Sequence, residues 1–145
     1  MNFDNIRIPK REILDIDFLT KDKFYPLEFG GKTYTIFTRD QFNMGIFLGV
    51  AEDGAVYNIN TDENTVNYVM NSLKNFIKVL KTCMRLEIMY SIGDFVRELK
   101  PFRRLPEKDN RASKLEKIIR RLDPDALGED TFWSSIIEEM GYGII

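Results

Sequence analysis

Carboxylates and bases are the residues of this chain best placed for chemistry, because it contains no histidine and a single cysteine, Cys83. Without histidine, Ser-His-Asp and Cys-His nucleophile systems cannot be assembled, and the usual zinc sites lack ligands. Asp123, Asp125 and Gly128 follow the opening of a calcium loop, yet the fifth position falls on Leu127 and the closing glutamate on Ser134. Helix capping by Asp123, with Pro124 in the first turn, fits those residues better. Glu52-Asp53 and Asp62-Glu63 are adjacent pairs that cannot flank a scissile bond, and turn chemistry alone accounts for Asp53. Neither Gly30-Gly31 nor Gly141-Tyr142-Gly143 has the spacing that cradles phosphates. Cys83 lies beside Met84 in an apolar helical pattern, which predicts a buried thiol, and Trp133 reads as a core anchor. No catalytic residue, metal or cofactor is expected from this inventory, and the chain reads as a non-enzyme.

Charge is unevenly distributed along the sequence. Residues 97–121 carry ten bases (Arg97, Lys100, Arg103, Arg104, Lys108, Arg111, Lys114, Lys117, Arg120 and Arg121) against four acids, whereas residues 123–145 carry six acids and no base. These blocks either neutralise each other across the surface or present one patch to a charged partner. The basic run lacks interleaved aromatics and any recognition motif, which weighs against direct nucleic-acid binding.

With 145 residues, 43% hydrophobic and 30% charged, the chain suits one soluble domain over residues 1–145. No segment is apolar over enough length to span a bilayer, and the N-terminus carries acids where a secretory signal needs an apolar run. A lone cysteine permits no internal disulfide, so a reducing, cytoplasmic setting is expected.

The elements that would position these residues follow from periodicity. Residues 1–30 form a weakly periodic lead-in, with Ile13, Ile16 and Leu19 packed on the core, Pro26 as an interruption and Gly30-Gly31 as a turn. Residues 32–70 read as sheet. Lys32 to Thr38 forms a strand with Tyr34, Ile36 and Thr38 on one face, and Arg39 to Asn43 forms a loop. Gly45 to Ala51 is a nearly continuous apolar run suited to a central strand covered on both sides. A tight Asp53-Gly54 turn then leads into Ala55 to Ile59, and Val66 to Met70 is the final strand. Residues 72–143 read as mainly helical. Asn71 or Ser72 caps a helix whose inward face runs through Leu73, Phe76, Ile77 and Leu80, and then, after a kink near Cys83, through Ile88, Met89, Ile92, Phe95, Val96 and Leu99. Pro101 to Pro106 breaks it, and Glu107 to Asn110 is a loop. A second helix shows Leu115, Ile118, Ile119 and Leu122. A third, capped by Asp130, shows Phe132, Trp133, Ile136, Ile137 and Met140. The resulting fold class is α+β, an antiparallel-leaning sheet of about four to six strands packed against several helices.

Three segments, IFLGVAEDGAVYNI at 46–59, VNYVMNSLKNFIKVL at 66–80 and LDPDALGEDTFWSSIIEEMGYG at 122–143, carry a family likeness. Their order resembles the SUKH superfamily, which includes fungal glucan-synthesis regulators and many bacterial immunity proteins. Val69, Asn71, Ser72, Leu73 and Phe76 are similar to the segment that opens the first long helix in the immunity branch. Asp123-Pro124, Phe132-Trp133 and Ile137-Glu138-Glu139 are similar to its terminal segment. Met70 intervenes between Val69 and Asn71, and the leucine-Gly-Leu-Pro opening of many members is absent.

The resemblance implies a non-enzymatic binding protein with a protein partner: an immunity protein that neutralises a cognate toxin, or alternatively a regulatory scaffold of the glucan-synthesis-regulator type. A nucleic-acid binder using the 97–121 segment is a third reading. Glu52, Asp53, Asp62 and Glu63, acids on expected loops, are the candidate partner contacts, since they could mimic a polyanionic substrate.

Overall fold

A computed structural model describes residues 3–40, 43–99 and 110–141, with side chains described over 3–40, 43–87 and 110–141. The sheet has five antiparallel strands in chain order: β1 (Tyr25–Phe29), β2 (Lys32–Ile36), β3 (Ile46–Ala51), β4 (Val56–Asn60) and β5 (Thr65–Met70). The helices follow: α1 (Leu73–Leu99), α2 (Arg111–Leu122) and α3 (Phe132–Gly141), with a 3-10 turn at Pro124–Ala126 before the last. This is the α+β architecture that the patterning requires. Among the described residues no helix is long and apolar enough to cross a membrane.

The apolar run at β3 became the middle strand of five, and Leu48, Gly49, Val50 and Ala51 are buried. Gly49 is required there because a Cβ would sit 2.9 Å from Ile36 Cδ1 and 3.0 Å from Tyr34 Cβ. The hairpin into β4 is wider than a two-residue turn. Glu52, Asp53 and Gly54 form a three-residue loop closed by Gly54 N–H to the Ala51 carbonyl at 2.9 Å, and Gly54 takes φ +88°. A left-handed glycine closing a three-residue loop matches the right-handed twist of the flanking strands.

Three local readings of the sequence are corrected. The lead-in contains β1, because Pro26 occupies an edge strand, where the missing N–H costs little. Thr38 does not continue β2; it is fully buried, bridges to Phe18, and its Oγ1 accepts the Leu48 N–H at 2.9 Å. Asp130 does not cap α3. It adopts φ 59°, and the Thr131 carbonyl receives both the N–H and the hydroxyl of Ser134 instead. Ile13 and Ile16 pack on the core through an irregular bridge, each accepting the other's N–H.

Ser72 caps α1 by accepting the Asn75 N–H at 3.1 Å. The helix runs continuously through Cys83. The expected inward face from Ile88 to Leu99 and the 101–109 break lie outside what is described.

The two faces of the sheet differ. One packs Leu48, Val50, Val56 and Met70 against Leu73, Phe76, Leu80, Leu115, Ile119 and Trp133. The other gathers Tyr34, Ile36, Ala51 and Ile59 under half-buried Leu27, Phe29, Phe47, Tyr57 and Val66, and no described helix residue joins that cluster. Among the described residues that face is lined by its own side chains, with Tyr34 and Tyr57 edge to face at 5.7 Å and Tyr57 and Tyr68 at 5.8 Å.

Candidate functional site

The four candidate acids are all exposed, and the structure divides them into two pairs. Glu52 and Asp53 occupy the β3–β4 turn, while Asp62 and Glu63 occupy the β4–β5 turn at the opposite end of β4. With five residues in β4, the two turns stand roughly 15–20 Å apart at about 3.3 Å per strand residue.

Each turn is held by its own hydrogen bonds. Asp53 Oδ1 accepts the Ala55 N–H at 3.0 Å, which keeps that carboxylate on the turn. At the other end Asn60 Oδ1 accepts the N–H groups of Asp62 and Glu63 at 3.1 and 3.0 Å, leaving both carboxylates free of that role. Asp62 packs over Gly45, where an added Cβ would lie 2.9 Å from its Oδ1. Asp40 Oδ1 in turn accepts the N–H groups of Gly45 and Ile46 at 2.8 and 3.1 Å, fixing the entry to β3.

Between the two turns lies the sheet face that no described helix side chain covers. At its Glu52-Asp53 end it opens into a cavity of about 290 Å³ shared with Lys32, Thr33 and Tyr57. Burial, and next the Asp53 charge, raise the Tyr57 phenol above its ordinary range, so it is a neutral hydrogen-bonding group there. Half-buried aromatic and aliphatic side chains with acids at both ends resemble the apolar centre and polar rim of a protein interface. Sequence reading found the acids but not this surface, because the alternation of β2, β3 and β4 shows that two faces exist, not which one the described helix residues pack on.

A second concavity, about 410 Å³, lies on the helix side of the sheet. One wall is α3, whose Phe132, Ser135, Ile136 and Glu139 recur at helical spacing. A second wall is the turn that carries Leu14 and Asp15, both left-handed at φ 51° and 63°. The third is the cross-strand pair Asn58 and Asn67. Asn58 Oδ1 is buried and has no hydrogen-bond partner among the described residues. No local pattern announces this groove, since its walls come from three distant segments.

Asp123 is committed to structure: its Oδ2 accepts the Tyr68 hydroxyl at 2.6 Å and its Oδ1 the Asp125 N–H at 3.2 Å. That is the expected cap, here on the 3-10 turn, with a tyrosine partner that sequence reading missed. Cys83 is fully buried, and burial followed by the Glu87 charge pushes its thiol up to about 12. In the basic segment, Arg111 is buried and Arg120 pairs with Glu116 at 2.7 Å, while Lys114, Lys117 and Arg121 are exposed on α2. Its members at 100, 103, 104 and 108, and the side chain at 97, lie outside the described residues.

A family model described as SUKH-4 immunity protein matches residues 4–139. No curated protein and no solved structure matches the chain.

Proposed function

The chain belongs to the SUKH-4 immunity protein family, and on that premise we propose that it neutralises a cognate toxin by binding it rather than by turning over a substrate. The observation that carries this reading is the extent of the family match, which takes in the whole sheet, α1, α2 and all but the last two residues of α3.

We place the toxin on the sheet face that no described helix side chain covers. Leu27, Phe29, Phe47, Tyr57 and Val66 form its apolar centre, and Glu52-Asp53 and Asp62-Glu63 stand at its two ends. Desolvating the centre supplies affinity, while the rim acids choose the partner and speed its approach. A toxin whose own substrate is polyanionic carries the basic surface these acids would meet.

Co-expression with the toxin encoded by the adjacent gene tests the proposal. The wild-type chain should restore growth and be captured with the toxin. Replacing Glu52, Asp53, Asp62 and Glu63 together with alanine should weaken capture. Undiminished capture would remove these four residues from the interface, and failure of the wild-type chain to protect would remove the immunity reading.

A further inference from the structure

We propose that the exposed face of α1 is a docking surface for the phosphate backbone of a nucleic acid, which it holds through Lys74, Lys78, Lys81 and Arg85 without reading sequence.

Among the α1 residues whose side chains are described, five are exposed: these four bases and Met84. The spacing i, i+4, i+7, i+11 puts the four cations in one row along the helix, about 16 Å from end to end at about 1.5 Å per residue. No acid interrupts the row, because the segment from Leu73 to Leu86 contains no aspartate or glutamate, and none of the four has an ion-pair partner among the described residues. A helix face that merely meets water gains from mixed charges. This one instead sets like charges at helical neighbours, Lys74 with Lys78, Lys78 with Lys81 and Lys81 with Arg85. It also sets Lys74 in the first turn, where the helix dipole disfavours a cation. An anionic partner offsets each of these costs.

The surroundings select phosphates over other anions. A protein interface needs an apolar centre, and a helix that binds a membrane surface needs apolar side chains to insert. Here Leu73, Phe76, Ile77, Leu80 and Cys83 are buried in the core, and Met84 is the one large apolar side chain exposed on the described part of α1. A nucleic-acid strand carries its charge outermost and at regular intervals, about five phosphates over the length of this row at about 3.4 Å per nucleotide of duplex. Neutralising phosphates needs neither stacking aromatics nor a base-reading motif. Asn71 Nδ2 donates to the Leu122 carbonyl at 3.0 Å, which brings the end of α2, with exposed Arg121, to the Lys74 end of the row. α1 packs on the opposite side of the sheet from the proposed toxin surface, so this surface stands whether or not the chain neutralises a toxin.

The test is fluorescence anisotropy of short labelled DNA duplexes of two unrelated sequences, titrated with the full chain at several salt concentrations. Both should bind alike, and log affinity should fall against log salt with a slope of about −3 to −4, as four neutralised phosphates require. Each of Lys74→Gln, Lys78→Gln, Lys81→Gln and Arg85→Gln should make that slope shallower by about one. The fourfold variant should abolish binding, and glutamine suits a helix interior. The control Lys10→Gln/Lys21→Gln/Lys23→Gln/Lys32→Gln loses as many charges from exposed positions elsewhere and should keep the slope. Should the fourfold variant lose its fold by circular dichroism, the single variants decide. No binding at low salt, unchanged binding in the α1 variants, an equal loss in the control, or tighter binding to phosphatidylserine vesicles or polyglutamate than to DNA would each overturn the proposal. No toxin enters the titration, so its outcome is separate from that of the co-expression experiment.

Discussion

The indole N–H of Trp133 donates to the carbonyl of Val69 at 3.1 Å, and Val69 is the residue that the β4–β5 ladder skips. Val56 pairs with Met70 and Tyr57 with Tyr68, so one residue of β5 has no cross-strand partner. A bulge leaves its extra residue's polar groups outside the ladder, and here a side chain 64 positions away serves the carbonyl. Trp133→Phe should cost about 2–4 kcal/mol, combining an unsatisfied buried carbonyl with lost packing at a fully buried site. Urea unfolding followed by circular dichroism measures this; a loss below about 0.5 kcal/mol, the scale of a neutral surface change, would show that the bond contributes nothing.

Tyr68 should make stability fall at alkaline pH. Burial, then its bond to Asp123, raise its phenol well above the ordinary value of 10.0. The folded state holds the proton more tightly, so this contribution is complete below the ordinary value and is lost as pH rises through the raised one. Tyr68→Phe should flatten the alkaline limb of a plot of urea midpoint against pH. Near neutrality it should cost about 1–3 kcal/mol, because the buried Asp123 carboxylate loses a donor. An alkaline limb of unchanged slope would exclude Tyr68 as its source.

Cys83 should resist thiol reagents until the chain unfolds. A rise from 9.0 to about 12 leaves roughly a thousandfold less thiolate at a given pH, before steric exclusion is counted. Comparing the rate of reaction with a disulfide reagent in native buffer and in denaturant tests this, and similar rates in both would mean that α1 opens locally.

Gly49→Ala should destabilise by about 1–3 kcal/mol, since a methyl group has to displace the Ile36 side chain and the Cβ of Tyr34 in the middle of the sheet. The same change at Gly54 should cost through backbone conformation alone, because no atom lies within 4 Å of an added Cβ there. Thermal unfolding of the two variants separates crowding from conformation, and equal costs would contradict the distinction.

The two acidic turns should act independently on toxin association. Their separation exceeds the Debye length of about 8 Å at physiological ionic strength. Neutralising Glu52-Asp53 and Asp62-Glu63 separately should slow association and lessen its salt dependence, with effects that add in the combined variant. Stopped-flow association rates at several salt concentrations measure this, and strong non-additivity would mean that both pairs meet one toxin residue.

Much of this fold was legible in the sequence because it rests on local signals. Gly45 to Ala51 announced a central strand by being apolar throughout, Ser72 announced a helix start, and Asp123-Pro124 a cap. What stayed hidden depends on contacts between distant segments. Pro26 concealed β1, since an edge position cannot be told from an interruption until β2 is in place. The bond between Tyr68 and Asp123 spans 55 residues, and the groove joins three separated stretches. Of the candidate contacts, the turns holding all four acids were recognisable, while their division between the two ends of β4 required the strand order.

The chain-order sheet has a kinetic consequence. Every strand pairs with its sequence neighbour, so all five strands, from Tyr25 to Met70, can assemble by successive hairpin closure, the short-range route associated with fast folding. During synthesis that sheet can form before α3 has emerged, with the Val69 carbonyl still waiting for its indole. Locking of the bulge is then a late event, so Trp133→Phe should accelerate unfolding far more than it slows folding.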